Sequence, residues 1–352
     1  MVRGHPGPCA GCRSGSTRRS PSVGHMINGV RVYQIPMRVR FRGLDVRHGM
    51  LFRGPAGWAE WSPFPEYPPA EASAWWDCAV EAATREYPPP VRRWVPVNVT
   101  VPAVAPDAAF HIVRSSGCAT AKVKVAERGQ GIAADLERVE AVRAALGPSG
   151  RIRVDANGGW SVAEADRGLR QLNRFDLEYA EQPCATVAEL AELRLSFART
   201  GYDLRIAADE SIRRASDPLE VRRLGAADIA VVKVQPLGGV RRALALVEKL
   251  GMPVVVSSAL ETSVGIRAGL ALAAALPDLP FACGLNTVPL LAGDVTVQPL
   301  VAVNGQLPVR DVAVDPALLD RWQAPPDVAA AWEQRRATVA PPPASAATPV
   351  RA

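Results

Sequence analysis

From residue 95 onward the sequence keeps one rhythm: a short β-branched run, then a longer Ala/Leu/Arg stretch. The runs fall at 97–102, 120–125, 152–157, 177–182, 205–210, 228–234, 253–258 and 282–285. Amphipathic stretches at 106–114, 134–146, 161–173, 187–199, 217–224, 239–250 and 263–275 lie between them. Strands separated by helices pair in parallel, because each parallel crossover needs a long connection. Eight such units favour a sheet closed into a (β/α)8 TIM barrel over an open one. No G-x-G-x-x-G follows the first run, which disfavours a dinucleotide site.

Before this rhythm, residues 27–61 alternate as short antiparallel strands. Val30, Val32 and Ile35 open the first, residues 37–41 alternate in the second, and Trp58 to Trp61 closes a third. Residues 42–49 are expected as a polar, glycine-containing loop. Residues 71–86 have helical spacing, and Pro88-Pro89-Pro90 ends them. The organisation expected is therefore an α/β protein: a leader (1–25), an N-terminal α+β capping domain (26–94), and a barrel carrying the active site (95–294). Residues 295–303 alternate again and are expected to return as a strand to the capping domain. Residues 316–335 are expected as one helix, so that 295–335 completes the cap. An Ala/Pro/Ser-rich tail (336–352) is expected to be disordered.

The ends of the barrel runs carry the chemistry, since barrel active sites sit at the C-terminal ends of strands. Reading these ends in order gives Lys122 and Lys124, Asp155 and Asn157, Glu181, Asp209, Lys233, then Ser257 and Ser258. From Lys124 through Asp155, Glu181 and Asp209 to Lys233 the steps are 31, 26, 28 and 24 residues, each about one βα unit. In Arg151-Ile152-Arg153-Val154-Asp155, the apolar residues point one way and the polar ones the other. One acid so placed reads as a surface strand end or a helix cap. Three in register repel each other unless something neutralises them. A hard divalent cation, magnesium, does so with oxygen ligands and keeps positions open for substrate.

In Ala121-Lys122-Val123-Lys124-Val125 the valines are expected to face the helix layer and the lysines the barrel interior. Lys122 and a metal would both lower the pKa of Lys124 and make it a base. Lys233 stands almost opposite. Two lysines bracketing a metal suit removal of a proton α to a carboxylate. A Schiff-base lyase is the alternative of another class; it uses one lysine and leaves the acids unexplained. None of the four histidines falls at a strand end.

Composition narrows the partners. The formal charge of +6 owes four charges to Arg3, Arg13, Arg18 and Arg19 in the leader, which argues against a nucleic-acid surface. Cys9 and Cys12 form a lone C-x-x-C without a second pair, and the other cysteines are scattered, as suits a reducing cytoplasm. Residues 1–25 lack an apolar signal core, and Met26 is expected to mark where the structured pattern begins. The longest apolar run, 269–276, is too short to span a bilayer. The expectation is a cytoplasmic enzyme acting on a small carboxylate, with no nucleic-acid or membrane partner.

Lys122-Val123-Lys124, Asp155-Ala156-Asn157, Glu181-Gln182-Pro183, Asp209-Glu210-Ser211 and the Lys233 strand resemble the muconate-lactonizing subgroup of the enolase superfamily. A Lys or His base beside magnesium is the general pattern of that superfamily's sites. The stretches Ala180-Glu181-Gln182-Pro183-Cys184, Pro236-Leu237-Gly238-Gly239-Val240 and Ser257-Ser258-Ala259-Leu260-Glu261-Thr262-Ser263 resemble the o-succinylbenzoate synthases of actinobacterial type. The resemblance spans about residues 27–310. It implies dehydration of 2-succinyl-6-hydroxy-2,4-cyclohexadiene-1-carboxylate to 2-succinylbenzoate in menaquinone synthesis. It also implies Lys124 as base and then acid, Lys233 as electrostatic stabiliser, and Asp155, Glu181 and Asp209 as magnesium ligands. Lys122, Arg153 and Asn157 are implied as supporting residues, and Ser257, Ser258 and the 42–49 loop as contacts to the succinyl tail. N-succinylamino-acid racemase and dipeptide epimerase are the neighbouring activities. The Asp-x-Asp of the epimerases after the seventh strand is replaced here by residues 257–263.

Overall fold

The computed structural model describes residues 27–340. The leader with Cys9 and Cys12, the start at Met26 and the tail from 341 lie outside the described residues.

An antiparallel sheet comes first, built from β1 (Asn28–Phe41), β2 (Leu44–Gly54) and β3 (Gly57–Trp61). β1 is continuous where two strands were expected. Residues 44–49, expected as loop, are the first half of β2. Only Arg42 and Gly43 turn the chain. Both have positive φ (53° and 74°), and Phe41 pairs with Leu44, so the connection is a two-residue hairpin. The loop reading failed at Arg47, a charged residue that is only 1% exposed because its guanidinium is bonded to backbone carbonyls. Helix α1 (Pro69–Thr84) then lays Trp75 and Trp76 on the sheet, and Trp76 meets Trp61 edge-on at 5.7 Å.

The barrel strands are β4 (Trp94–Val101), β5 (Thr120–Lys124), β6 (Arg151–Asp155), β7 (Leu177–Glu181), β8 (Ile206–Ala208), β9 (Ile229–Lys233), β10 (Val254–Ser257) and β11 (Cys283–Asn286). They lie side by side in chain order, and β11 pairs in parallel with β4, which closes the ring. All eight expected runs are strands. Their helices are α2 (Pro106–Ser116), α3 (Ile132–Leu146), α4 (Val162–Leu172), α5 (Val187–Thr200), α6 (Glu210–Arg213), α7 (Glu220–Arg223), α8 (Val240–Leu250) and α9 (Ser263–Ala275). Two starts are fixed locally by capping boxes, Ser161 with Glu164 and Thr186 with Glu189. The helix expected at 217–224 is a single turn, and α6 was not anticipated.

Outward side chains of the strands, such as Ala121 and Val123, share a buried cluster with Val139 and Val142 of α3. Inside the ring, Tyr179, Ala207, Ile229, Val231, Val255 and Phe281 form a separate apolar floor. A parallel barrel is thus filled, and only its top layer is left for chemistry.

Residues 295–303 are not a strand. Val295 and Leu300 are buried, but Val297 is 70% exposed, so the alternation does not define one buried face. The strand found instead is β12 (Gln306–Pro308), antiparallel to the first residues of β4 rather than to the cap. The single helix expected at 316–335 is two, α10 (Pro316–Arg321) and α11 (Pro326–Val339), separated by a break that contains Pro325. Residues 336–339, expected in the tail, are the last turn of α11. Trp332 of α11 meets Trp61 edge-on at 5.3 Å.

Two cap carboxylates dock onto barrel helices. Glu81 of α1 accepts from the backbone N–H of Arg241 at the start of α8 (3.3 Å). Gly239, with φ +120°, has a backbone that favours glycine, and a Cβ there would also push against the carboxylate end of Glu81. Glu60 of β3 accepts from the N–H groups of Thr262 and Gly265 at the start of α9, each at 3.1 Å. Both place negative charge at a positive helix end. No described helix is long and apolar enough to cross a membrane. Cys78, Cys118, Cys184 and Cys283 are buried and free.

Candidate active site

Register gathers the strand-end residues. Lys124 stands beside Asp155, Asp155 beside Glu181, and Glu181 beside Ala207, two residues before Asp209. β9 is four places round the ring from β5, so Lys233 reaches the mouth from the side opposite Lys124. Asp155, Glu181 and Asp209 are at most 6% exposed. Lys122 Nζ lies 3.1 Å from Asp155 Oδ2 and 2.5 Å from Glu181 Oε1. Asp209 is held on one oxygen by Lys233 Nζ at 2.6 Å and on the other by Arg213 Nε at 2.9 Å.

The charges set one another. Burial opposes ionisation of Lys122, but Asp155 and Glu181 outweigh it and hold its pKa well above the usual lysine range. Burial raises the carboxyl of Glu181 to about 7, although Lys122 pulls it down. Burial also works against Asp155, yet Lys122 and Lys124 bring it below its ordinary value. For Asp209 burial is overcome by Arg213 and Lys233, and its carboxyl is driven far down.

Lys124 differs from Lys122. Among the described residues no carboxylate pairs with it; its ammonium donates to Asn157 Oδ1. Asn157 has φ +44°, and its N–H donates to Asp155 Oδ1 at 3.0 Å, so the turn after β6 fixes the amide beside the lysine. Asn157 Nδ2 donates to Glu210 Oε1 at 3.3 Å. Ser257 and Ser258 both donate to the Gly284 carbonyl, at 3.4 and 2.7 Å.

Lys122, Asp155, Asn157, Arg213, Lys233, Ser257 and Ser258 line a cavity of about 40 Å³, roofed by Phe41, Arg42 and Phe64 of the cap; Lys124, Glu181 and Asp209 stand behind this lining. Of the expected 42–49 loop, only Arg42 reaches this cavity. A wider groove of about 410 Å³, between residues 127–131 and α4, holds none of the paired acids and lysines. Arg153 departs from the supporting role expected of it. Its guanidinium turns to the barrel floor, 2.5 Å from Glu178 and 2.6 Å from the Ala282 carbonyl, with Tyr179 stacked at 4.8 Å.

Three carboxylates without sulfur or imidazole form a donor set for a hard divalent cation. As placed, each acid is held by an ammonium or guanidinium group. Among the described residues no three His, Cys, Asp or Glu groups stand at chelating range.

Several mouth residues escaped sequence reasoning. Arg213 links Asp209, Glu210 and the phenol of Tyr67 in the cap. Its spacing of four from Asp209 was the available signal. Gln182 Oε1 accepts from the N–H groups of Asp209 (2.9 Å) and Ser211 (3.2 Å), bracing the third acid from the neighbouring strand. Thr100 and Thr287 line the cavity without any local motif.

Residues 106–313 match a family model described as enolase C-terminal domain-like, and residues 32–83 one described as enolase N-terminal domain-like. The chain is similar to the o-succinylbenzoate synthase of Thermobifida fusca, at 60% identity over 315 residues, covering 86% of this chain and 97% of that one. It is similar to the o-succinylbenzoate synthase of Mycobacterium tuberculosis at 52% over 318 residues, covering 90% and 94%. Among solved structures it is similar in fold to a muconate lactonizing enzyme from Pseudomonas fluorescens (TM-score 0.71, 20% identity, covering 85% and 99%). The N-succinyl Arg/Lys racemase from Bacillus cereus is similar in the same sense (TM-score 0.70, 18% identity, covering 85% and 98%).

Proposed function

The chain belongs to the enolase superfamily and, within it, to the o-succinylbenzoate synthases, and from that premise we infer what its mouth does. It is a hydro-lyase that converts 2-succinyl-6-hydroxy-2,4-cyclohexadiene-1-carboxylate to 2-succinylbenzoate in menaquinone biosynthesis. Superfamily membership implies a divalent metal. We assign that metal as magnesium, the compartment as cytoplasmic, and the residue roles as follows.

Lys124, in its neutral form, removes the ring proton α to the carboxylate. The C–H electron pair moves into the carboxylate, giving an enediolate. Lys233, reaching in from the opposite side, stabilises the developing negative charge as an ammonium. The electrons then return to the ring and expel the hydroxyl group. Lys124, now protonated, gives its proton to that leaving group, so one water departs and the ring becomes aromatic. Asn157 orients Lys124 through the amide oxygen it presents. Lys122 stays charged and neutralises buried acid. Ser257 and Ser258, on the same wall, offer contacts for the succinyl tail.

Asp155, Glu181 and Asp209 would hold magnesium, which when bound supplies a Lewis acid for the substrate carboxylate. The charges around the mouth support a divalent ion. Asp155, Glu181, Asp209 and Glu210 face Lys122, Lys124, Lys233 and Arg213, so the mouth is close to neutral. A substrate with two carboxylates calls for two more positive charges.

The observation that carries these roles is the placement of the lysines, with Lys124 unpaired to any described acid and Lys233 four strands away. Replacement tests it. Lys124→Ala is expected to lower kcat by ~10³-fold or more, in the range for losing a general base, while circular dichroism stays that of the parent. Dehydration at near-parent rate in a pure sample of that variant would refute the base assignment.

A further inference from the structure

The segment that follows the two strand-end serines is held by the cap at both ends. After Ser257 the chain runs through Ser258, Ala259 and Leu260 along the cavity wall, and α9 begins at Ser263. Leu260 has φ +64°, a left-handed backbone that a leucine adopts only under constraint, and it is 3% exposed. Arg47 supplies that constraint. Its Nε donates to the Leu260 carbonyl at 3.0 Å and its Nη2 to the Ala259 carbonyl at 3.1 Å. Its remaining bonds go to the carbonyls of His48 (3.1 Å) and Ser62. Among the described residues no carboxylate pairs with it. A buried guanidinium spent wholly on backbone carbonyls fixes shape through its planar fork. It also stacks 4.8 Å over the ring of Phe64, another side chain of the cavity wall.

Glu60, on the neighbouring cap strand, takes the other end of the segment through the N–H groups of Thr262 and Gly265. The cap thus presents a guanidinium to the buried carbonyls before α9 and a carboxyl group to the amides that start it. The polarity of each clamp matches the backbone it grips.

We propose that Arg47 is a positioning residue for the reaction. Acting through Ala259 and Leu260, it fixes the wall beside Ser257 and Ser258 against which the substrate seats. The inference rests on the mouth being the dehydration site. Ala259 and Leu260 line the same cavity as Ser257 and Ser258, so a displacement of this wall alters the seat. Arg47 makes no bond to Lys124 or Lys233, so its loss moves the substrate without changing the base or the stabilising ammonium.

The test compares Arg47→Met with Glu81→Gln, which loosens the other docking point of the cap, at α8, away from the cavity wall. Arg47→Met is expected to raise KM by ~10-fold, the loss of charged-donor bonds to two carbonyls, and to keep the pH profile of kcat. Added guanidinium should restore part of the loss. Glu81→Gln should leave KM within about twofold of the parent, since Glu81 bonds to Arg241 of α8 and does not line the cavity. An Arg47→Met enzyme with parent KM, or an equal KM rise in Glu81→Gln, would overturn the proposal. Should Arg47→Met not fold, Arg47→Lys carries the same test. It keeps stem and charge but cannot fork across both carbonyls, so an unchanged KM overturns the proposal equally. Hydrogen exchange separates this inference from the function. Amides 258–262 should exchange faster in the Arg47 variant than in the parent or in Glu81→Gln, whatever the substrate. Equal protection in all three sinks the clamp, whereas a parent that fails to dehydrate the cyclohexadiene sinks the functional reading instead.

Discussion

Two lysines separated by one residue on β5 have been given different environments. Lys122 is wedged between two carboxylates and stays charged, while Lys124 meets only an amide oxygen. That division is what a site needs if one lysine is to carry charge and the other to exchange a proton. Glu261 shows the cost of burying an acid without such a partner. Burial, then the nearby Glu60, raises its carboxyl to about 7. Between its unfolded value of about 4.5 and 7 the folded protein keeps a proton that the unfolded chain releases. Glu261 therefore costs stability progressively as pH rises through that window. Glu261→Gln should match the parent near pH 4.5 and exceed it by up to ~3 kcal/mol above pH 7, the equivalent of a shift of that size. Urea unfolding at pH 5 and pH 8 checks this; parallel pH dependence in parent and variant would contradict it. At this scale the acids and lysines were legible because each ends a strand of regular spacing. Arg213 and Gln182 were not, since their importance lies in what they bond across the ring.

At the scale of elements, period and length made the barrel readable. A β-branched run of about six residues followed by a dozen amphipathic ones has few other solutions. The failures have physical causes. β2 hid behind Arg47, a buried charge that only its carbonyl partners make tolerable. The alternation at 295–303 suggested a strand, but backbone pairing goes to Gln306–Pro308 instead. α11 mixes alanines and valines with charged residues and buries only Trp332, 7% exposed and packed edge-on to Trp61. Trp332→Ala should destabilise the protein by ~3 kcal/mol or more, the usual cost of emptying an aromatic site. Thermal denaturation measures it, and a loss below about 1 kcal/mol, the level of a surface substitution, would show that α11 is not an integral wall of the cap.

For the whole molecule, cap and barrel make one site between them. Phe41, Arg42 and Phe64 come from the cap, the acids and lysines from the barrel, and Arg213 bonds to Tyr67 across the boundary. Sequence reading placed both units but not their joint surface, because contacts between distant segments leave no local period. The neutral mouth gives the metal assignment its test. Treatment with EDTA should abolish turnover and added magnesium restore it; full activity in metal-free protein would contradict the role of the three carboxylates. The measurement that reaches furthest is a direct comparison of substrates on the purified protein. The cyclohexadiene should be dehydrated to 2-succinylbenzoate with a kcat/KM well above that for racemisation of any N-succinylamino acid. A larger kcat/KM for the racemisation would contradict the central claim.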